Sequence, residues 1–289
     1  MTDPRSIAGL SELAAGYDAL LCDVWGVIHN GREAFPEACS ALARYKAERG
    51  PVVMISNSPR PGPAVAVQMR QLGVPDAAWS AIVTSGDVTR VELAARAPGP
   101  AWAIGPMRDA PLYEGTGIHF AEVPEEAAFV SCTGPFDDEI ETPEDFRERF
   151  EVCVARGLLM VCANPDKVVQ RGAKTIYCGG ALADLYAEMG GKVVMAGKPY
   201  PPIYDAVFEQ AARLLDRTPE RARLLAIGDG LATDVKGANA QGLDCLFLAS
   251  GIHAAEVTGP DGKLDAELTA ALLSKAGLTA RYADIALNW

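Results

Sequence analysis

Histidine is scarce in this chain, three residues among 289. Neither an HxxxH pattern nor a CxxC spacing occurs, so the sequence has no zinc-site motif. The seven cysteines, an odd number set in apolar company (LLCDV, LMVCAN, LDCLFL), suit reduced core thiols better than a disulfide framework. Positive charge is also short: 26 Lys and Arg face 38 Asp and Glu, a net charge of −12. The chain has no basic cluster, and Arg147 and Arg149 sit among Glu144, Asp145, Glu148 and Glu151. Such a surface repels nucleic-acid backbones and anionic membranes, so neither is expected as a partner. An anionic substrate would call for a bound cation to offset the site's own carboxylates. Long apolar runs are missing, and segments such as Leu224 to Ile227 are far too short to span a bilayer. The start, MTDPRSIAGLSELAAGY, lacks a basic stretch followed by an apolar block, and a cytoplasmic location is expected.

What is present is ordinary for a globular protein: 49% hydrophobic and 22% charged residues. The length suits one large domain or two modest ones. Short β-rich runs alternate with longer amphipathic stretches, which predicts an α/β fold with a mostly parallel sheet. The strand candidates are ALLCDVWG, PVVMISNS, AIVTSG, AWAIGP, AAFVSC, LLMVCAN, KVVMAGK, LLAIGDG and LDCLFLASG. Helices are expected over 36–49, 62–72, 142–156, 181–189, 201–215 and 234–241. Boundary signals at Ser85 to Asp87 and at Gly190 and Gly191 divide the chain into a unit of residues 1–85 and 190–289 and an inserted domain, 86–189. Several strands end in polar or glycine-containing tails (SNS, TSG, GDG), where open parallel sheets bind ligands.

Four of those strand ends carry chemistry. Asp23 closes the first run. Ser56, Asn57 and Ser58 close the second, Lys198 lies in VVMAGKPYPP, and Asp229 and Asp234 lie in LLAIGDGLATDVKG. Each alone reads equally well as a turn, a helix cap or a loop. Together they fit phosphoryl transfer to a carboxylate, which needs a nucleophile, a divalent cation and donors for the phosphoryl oxygens. Asp23 can attack, Asp229 can help hold magnesium, and the Ser56 hydroxyl and Lys198 amine can bind the transferring group.

With these segments in order, the chain resembles the haloacid dehalogenase (HAD) superfamily of hydrolases. The likeness is to class IIA, with a large α/β cap inserted after the second motif, which includes para-nitrophenyl, phosphoglycolate and pyridoxal phosphate phosphatases. It is carried by DVWGVIHNG with the FPEA helix, ISNSPRP, LGVP…IVTSG, CANPD, CGGALADLYAEMGG before AGKPYPPIYDAV, and GDGLATDVKGANAQGLDCLFLASGI. It implies a Rossmann-like parallel-sheet core with an inserted cap that sets specificity, and a small phosphorylated metabolite as substrate. It also implies Mg2+ as cofactor and Asp23 as nucleophile. Ser56, Asn57 and Lys198 would contact phosphate, with Asp229 as a metal ligand and Asp234 as a second acid beside the metal, directly or through water. The backbone carbonyl two residues after the nucleophile, that of Trp25, would also bind magnesium. A homodimer joined through the cap is expected from the same resemblance.

One position departs from the pattern. Phosphatases of this superfamily usually carry a second aspartate where this chain has Trp25. Its general acid–base role is worth about 10²–10⁴-fold in rate. Four readings stay open: substrates with good leaving groups, a substitute acid, a different reaction such as dehalogenation or phosphonate cleavage, or a non-hydrolytic phosphate-binding or regulatory protein. Candidates for the substitute are His29, Asp137 and Asp138, with His29 reading more readily as a surface loop residue. In the insert, Asn164 and the Gly179–Gly180 pair are candidate substrate contacts, the glycines reading equally as a turn. Lys167 and Lys174 are the lysines a phosphonatase would need.

Overall fold

The computed structural model describes residues 3–171, 174–249, 253–259 and 262–289. In chain order it begins with β1 (Arg5–Ser6), β2 (Ala19–Cys22), α1 (Pro36–Glu48), β3 (Val52–Ser56), α2 (Gly62–Gln71), β4 (Ala81–Thr84) and α3 (Ser85–Ala94). It continues with β5 (Ala101–Ile104), β6 (Phe129–Cys132), α4 (Arg147–Ala155), β7 (Leu159–Cys162), β8 (Val168–Arg171), β9 (Lys174–Tyr177), α5 (Gly179–Glu188) and β10 (Lys192–Met195). The last part holds α6 (Pro201–Leu215), β11 (Leu224–Gly228), α7 (Lys236–Gln241), β12 (Asp244–Leu248), α8 (Ala254–Val257), α9 (Ala266–Lys275) and β13 (Tyr282–Asp284).

Seven strands pair in the order β1-β13-β12-β11-β2-β3-β4, every pairing parallel. Successive side chains of a strand point to opposite faces, so an unbroken apolar run means that both faces are covered. Leu20, Cys22, Val52, Met54, Leu225 and Ile227 face one core, with Leu42 and Tyr45 of α1 and Val65 and Met69 of α2. The alternate residues Ala19, Leu21, Val53, Ile55, Leu224 and Ala226 face the other, with Ile203, Tyr204 and Val207 of α6. The result is an α/β, Rossmann-like parallel-sheet core.

A second parallel sheet, β10-β7-β6-β5, has its own core around Phe146, Phe150, Leu182 and Tyr186. The antiparallel hairpin β8–β9 extends from it. Placing everything after residue 189 in the first unit puts β10 there, whereas β10 pairs with β7. We propose the end of the insert after Met195, with 86 as its start.

Two other expectations change. The TSG tail is the start of α3: Thr84 and Asp87 form a capping box, and Asp87 also accepts the Gly62 N–H at 3.1 Å. The helix expected from Asp234 begins instead with a π-helical turn, Leu231–Val235, that runs into α7. Ser250 and Gly251, the tail of the last expected strand, lie outside the described residues.

Candidate active site

Strand order decides where a ligand sits. From β2 the chain steps outward through β3 to β4, and it later returns on the other side of β2 at β11. Such a reversal opens a crevice beyond the strands' carboxyl ends. Asp23 directly follows β2, and Asp229 directly follows β11. Ser56 ends β3, and Lys198 lies in the loop between β10 and α6.

The side chains converge. Buried Lys198 donates from Nζ to Asp23 Oδ1 at 2.5 Å and to Asp234 Oδ1 at 2.7 Å. Asn57 holds the lysine's backbone in place: its Oδ1 accepts the Lys198 N–H at 2.7 Å, and its Nδ2 donates to the Lys198 carbonyl at 3.1 Å. Ser56 Oγ accepts the Ser58 N–H at 3.1 Å, which leaves its own proton for another acceptor. Asp234 Oδ2 accepts the Gly230 N–H at 3.0 Å. Glycine at 26, with φ +82, is required by the close approach of Asp229, since a Cβ there would lie 2.3 Å from Asp229 Oδ2.

Asp23, Asp229 and Asp234 each present an oxygen within 4.8 Å of the others. Burial, and then Asp234, pushes Asp23 up to about 7 against the pull of Lys198. Burial, followed by Asp23 and Asp234, carries Asp229 well above the usual carboxylate range. Burial pulls Lys198 down, but Asp23, Asp234 and Asp166 outweigh it and the ammonium is held charged. One lysine therefore serves several buried carboxylates, and this oxygen-only set fits a hard divalent cation such as magnesium.

Trp25 points across the crevice. Its Nε1 donates to the Gln170 carbonyl of β8 at 3.1 Å, and its ring meets His29 edge-on at 5.2 Å. Asp23, Trp25, Asp166 and Val169 border two cavities. One, of about 330 Å³, also meets Ser56, Asn57, Arg60 and Arg108; the other, of about 820 Å³, meets Asp229, Asp234 and Lys167.

The substitute acids expected from the sequence do not suit the task. His29 Nδ1 accepts the Gly31 N–H at 3.1 Å, so in the neutral ring the proton sits on Nε2 and no lone pair is left for a base. Burial pulls that imidazole down to about 4, so the charged, acidic form is absent near neutral pH. Asp138 is partly buried and bonded to Arg108 and, at 2.9 Å, to Arg171, and these bonds outweigh burial to lower it. Asp137 accepts the Glu139 N–H in its own loop. Lys167 pairs with Asp184 at 2.5 Å and Lys174 with Glu139 at 2.8 Å, both side chains more than half exposed, so neither is the desolvated amine of a Schiff base.

In the insert, Asn164 borders the smaller cavity, and its Oδ1 accepts the Asp166 N–H at 3.2 Å. The glycine pair packs α5 onto that loop: a Cβ on Gly180 would lie 2.2 Å from the Pro165 carbonyl oxygen. The residue that sequence reasoning passed over is Asp166, whose Oδ1 accepts from Asn57 Nδ2 at 2.8 Å. Its carboxylate lies in the CANPD segment, Cys162 to Asp166, which the sequence offers as a candidate substrate contact and from which only Asn164 was singled out.

The profile of the haloacid dehalogenase-like hydrolase family matches residues 20–119, and a HAD-hydrolase-like profile matches residues 195–271. A crystal structure of a haloacid dehalogenase-like hydrolase from Brucella suis is 42% identical, with a TM-score of 0.86 over 98% of this chain and 99% of that one. The chain belongs to the haloacid dehalogenase-like hydrolase family. Curated relatives of this hydrolase include D-glycerol 3-phosphate phosphatase of Mycobacterium tuberculosis, 26% identical over 85% of this chain and 67% of the relative. Another is the ribonucleotide monophosphatase NagD of Escherichia coli, 25% identical over 81% and 88%. The glycerol phosphate phosphatase Rv1692 of M. tuberculosis, solved in complex with calcium, is 25% identical, with a TM-score of 0.61 over 85% of this chain and 70% of that one.

Proposed function

We propose that this hydrolase cleaves small phosphomonoesters with magnesium, through an aspartyl-phosphate on Asp23. The observation that carries the reading is the convergence of Asp23, Lys198 and Asp234 at hydrogen-bonding distance beside Asp229, in the crevice where the sheet's winding reverses. Phosphatases among the relatives support the reaction class.

Asp23 forms the new O–P bond in line with the departing alkoxide. Lys198 holds the Asp23 carboxylate in place and with the Ser56 hydroxyl faces the transferring oxygens, while Asn57, whose side-chain amide is spent on Lys198 and Asp166, positions the lysine. Asp23, Asp229, Asp234 and the Trp25 carbonyl would hold the magnesium. When bound, the ion supplies charge neutralisation for the phosphoryl group. Water then attacks the phosphorus and frees Asp23 and inorganic phosphate. The bond from Trp25 to β8 ties the core to the insert beside the site. Cytoplasmic location and pairing through the cap belong to the same proposal. Among the described residues, no helix is long and apolar enough to cross a membrane.

A panel of phosphomonoesters, assayed with magnesium and with chelator, tests the reading. Magnesium-dependent release of phosphate is expected, abolished in Asp23→Asn. Hydrolysis of no ester, or an unchanged rate in Asp23→Asn, refutes it.

A further inference from the structure

The reaction needs a proton at the leaving oxygen, and position 25, an indole, has no acidic proton to give. In-line attack by Asp23 puts the leaving oxygen on the far side of the phosphorus, the side that the insert covers. A carboxyl group there must be close to the phosphoryl pocket and not tied up by cations. Asp166 meets these conditions. It follows β7 in the insert and borders both cavities with Asp23. Its Oδ1 accepts from Asn57 Nδ2 at 2.8 Å, and Asn57 is bonded in turn to the backbone of the lysine that grips Asp23. No ion-pair partner stands within salt-bridge distance of it among the described residues, unlike Asp138, which two arginines hold.

The surrounding fold fixes this carboxyl group in space. Asn164 Oδ1 caps the Asp166 N–H, and the Asp166 carbonyl accepts the Gly180 N–H at 2.9 Å. Glycine at 180 is needed for that contact, since a Cβ would sit 2.7 Å from the Asp166 carbonyl oxygen. Burial also raises the carboxyl group above its ordinary range, against Lys198 and the Asn57 bond.

We propose that Asp166 is the general acid and base of this hydrolase, supplied by the insert in place of the missing core aspartate. The inference rests on the phosphatase reading above. In the first half-reaction the Asp23 oxygen bonds to phosphorus, the P–O bond to the leaving group breaks, and the Asp166 proton goes to that oxygen. In the second, the Asp166 carboxylate takes a proton from the attacking water. The Asp23–P bond breaks, and Asp166 returns to its protonated form.

Asp166→Asn is the informative variant, because the amide oxygen still accepts from Asn57 and only the acidic proton is lost. Two esters are compared with magnesium in single-turnover mixing, which times release of the leaving group apart from hydrolysis of the aspartyl-phosphate: para-nitrophenyl phosphate, whose phenolate leaves without a proton, and glycerol 3-phosphate, whose alkoxide needs one. The expected result is a fall of about 10²–10⁴-fold in the first release of glycerol, with the first release of para-nitrophenol slowed less than about tenfold and later turnover of both esters slowed by loss of the base. Asp166→Glu is expected to recover part of the alkyl rate. The retained burst of para-nitrophenol also reports that the variant is folded. Equal losses of first release from the two esters, or no loss from either, overturn the assignment to Asp166 and leave the phosphatase reading standing. A wild-type protein that hydrolyses neither ester refutes both.

Discussion

Replacing Asp229 with Asn tests whether the acidic crevice is built around a cation. Asp229 shares a 4.8 Å cluster with Asp23 and Asp234, and Lys198 bonds to the other two but not to it. At that separation a like-charge pair costs about 3.5 kcal/mol at an effective dielectric constant of about 20. Two such repulsions, less one attraction to Lys198, leave about one pair uncompensated. An unpartnered buried amide costs about 1–3 kcal/mol in return. Asp229→Asn is therefore expected to stabilise the metal-free protein by about 1–2 kcal/mol, a rise in Tm of about 2–3 °C for a chain of this size. Whether the native carboxyl stays ionised or takes up a proton, it carries a penalty that Asn does not. The assay is thermal unfolding at pH 8 in chelator and in millimolar magnesium. Magnesium should raise the wild-type Tm and move the variant's much less, so the order of stability reverses. If the variant is less stable in chelator, or magnesium raises both equally, Asp229 is not a strained metal ligand.

Lys198→Met leaves Asp23 and Asp234 buried without their cation, at an expected cost of about 3–5 kcal/mol in urea unfolding, partly recovered by magnesium. No recovery would place the lysine's role outside charge balance. Burial holds the His29 pKa near 4 against 6.5 in the unfolded chain, so the unfolded state binds the extra proton first. Stability is then full above pH 6.5 and falls toward pH 4 by about 3 kcal/mol, and His29→Gln should flatten that acid slope. An unchanged slope would refute the assignment. Gly31→Ala combines a left-handed residue at φ +80 with a Cβ only 2.2 Å from the Trp25 ring. Its loss should exceed that of Gly242→Ala, where φ is +67 and nothing lies within 4 Å, and the latter alone should cost about 1–2 kcal/mol. Equal losses in thermal unfolding would mean that the indole has room to move.

All nine expected strands occur, and burial on two faces writes most of them into the sequence as unbroken apolar runs, with β4 and β10 only partly covered. Elements without such a signature escaped. The hairpin β8–β9 (VVQR, KTIY) is mostly solvent-facing and mixed in polarity, and β1 is two exposed residues. Helix α3 hides behind a glycine-containing start that imitates a ligand loop, although Thr84-Ser-Gly-Asp87 spells its cap. Asp23 and Asp229 were legible because each directly follows a strand of the parallel core sheet, Lys198 because it follows a strand of the insert's sheet, and Asp234 because it lies in the helical turn just after β11. The bond between Asn57 and Asp166 joins residues 109 apart, a proximity that spacing along the chain cannot reveal. The trapped ring of His29 was equally hidden, because only packing against Trp25 and Gly31 sets its proton.

The indole of Trp25 also gives the molecule an optical gauge of its own. Its N–H is tied to a carbonyl of the insert while its backbone belongs to the core, so separation of the two parts exposes that nitrogen to solvent. Trp102 is buried within the insert, and Trp79 and Trp289 pack against the core. None of the three crosses the crevice, and their emission should stay steady as the insert lifts. A red shift that disappears in Trp25→Phe would then follow opening in real time, with no label attached.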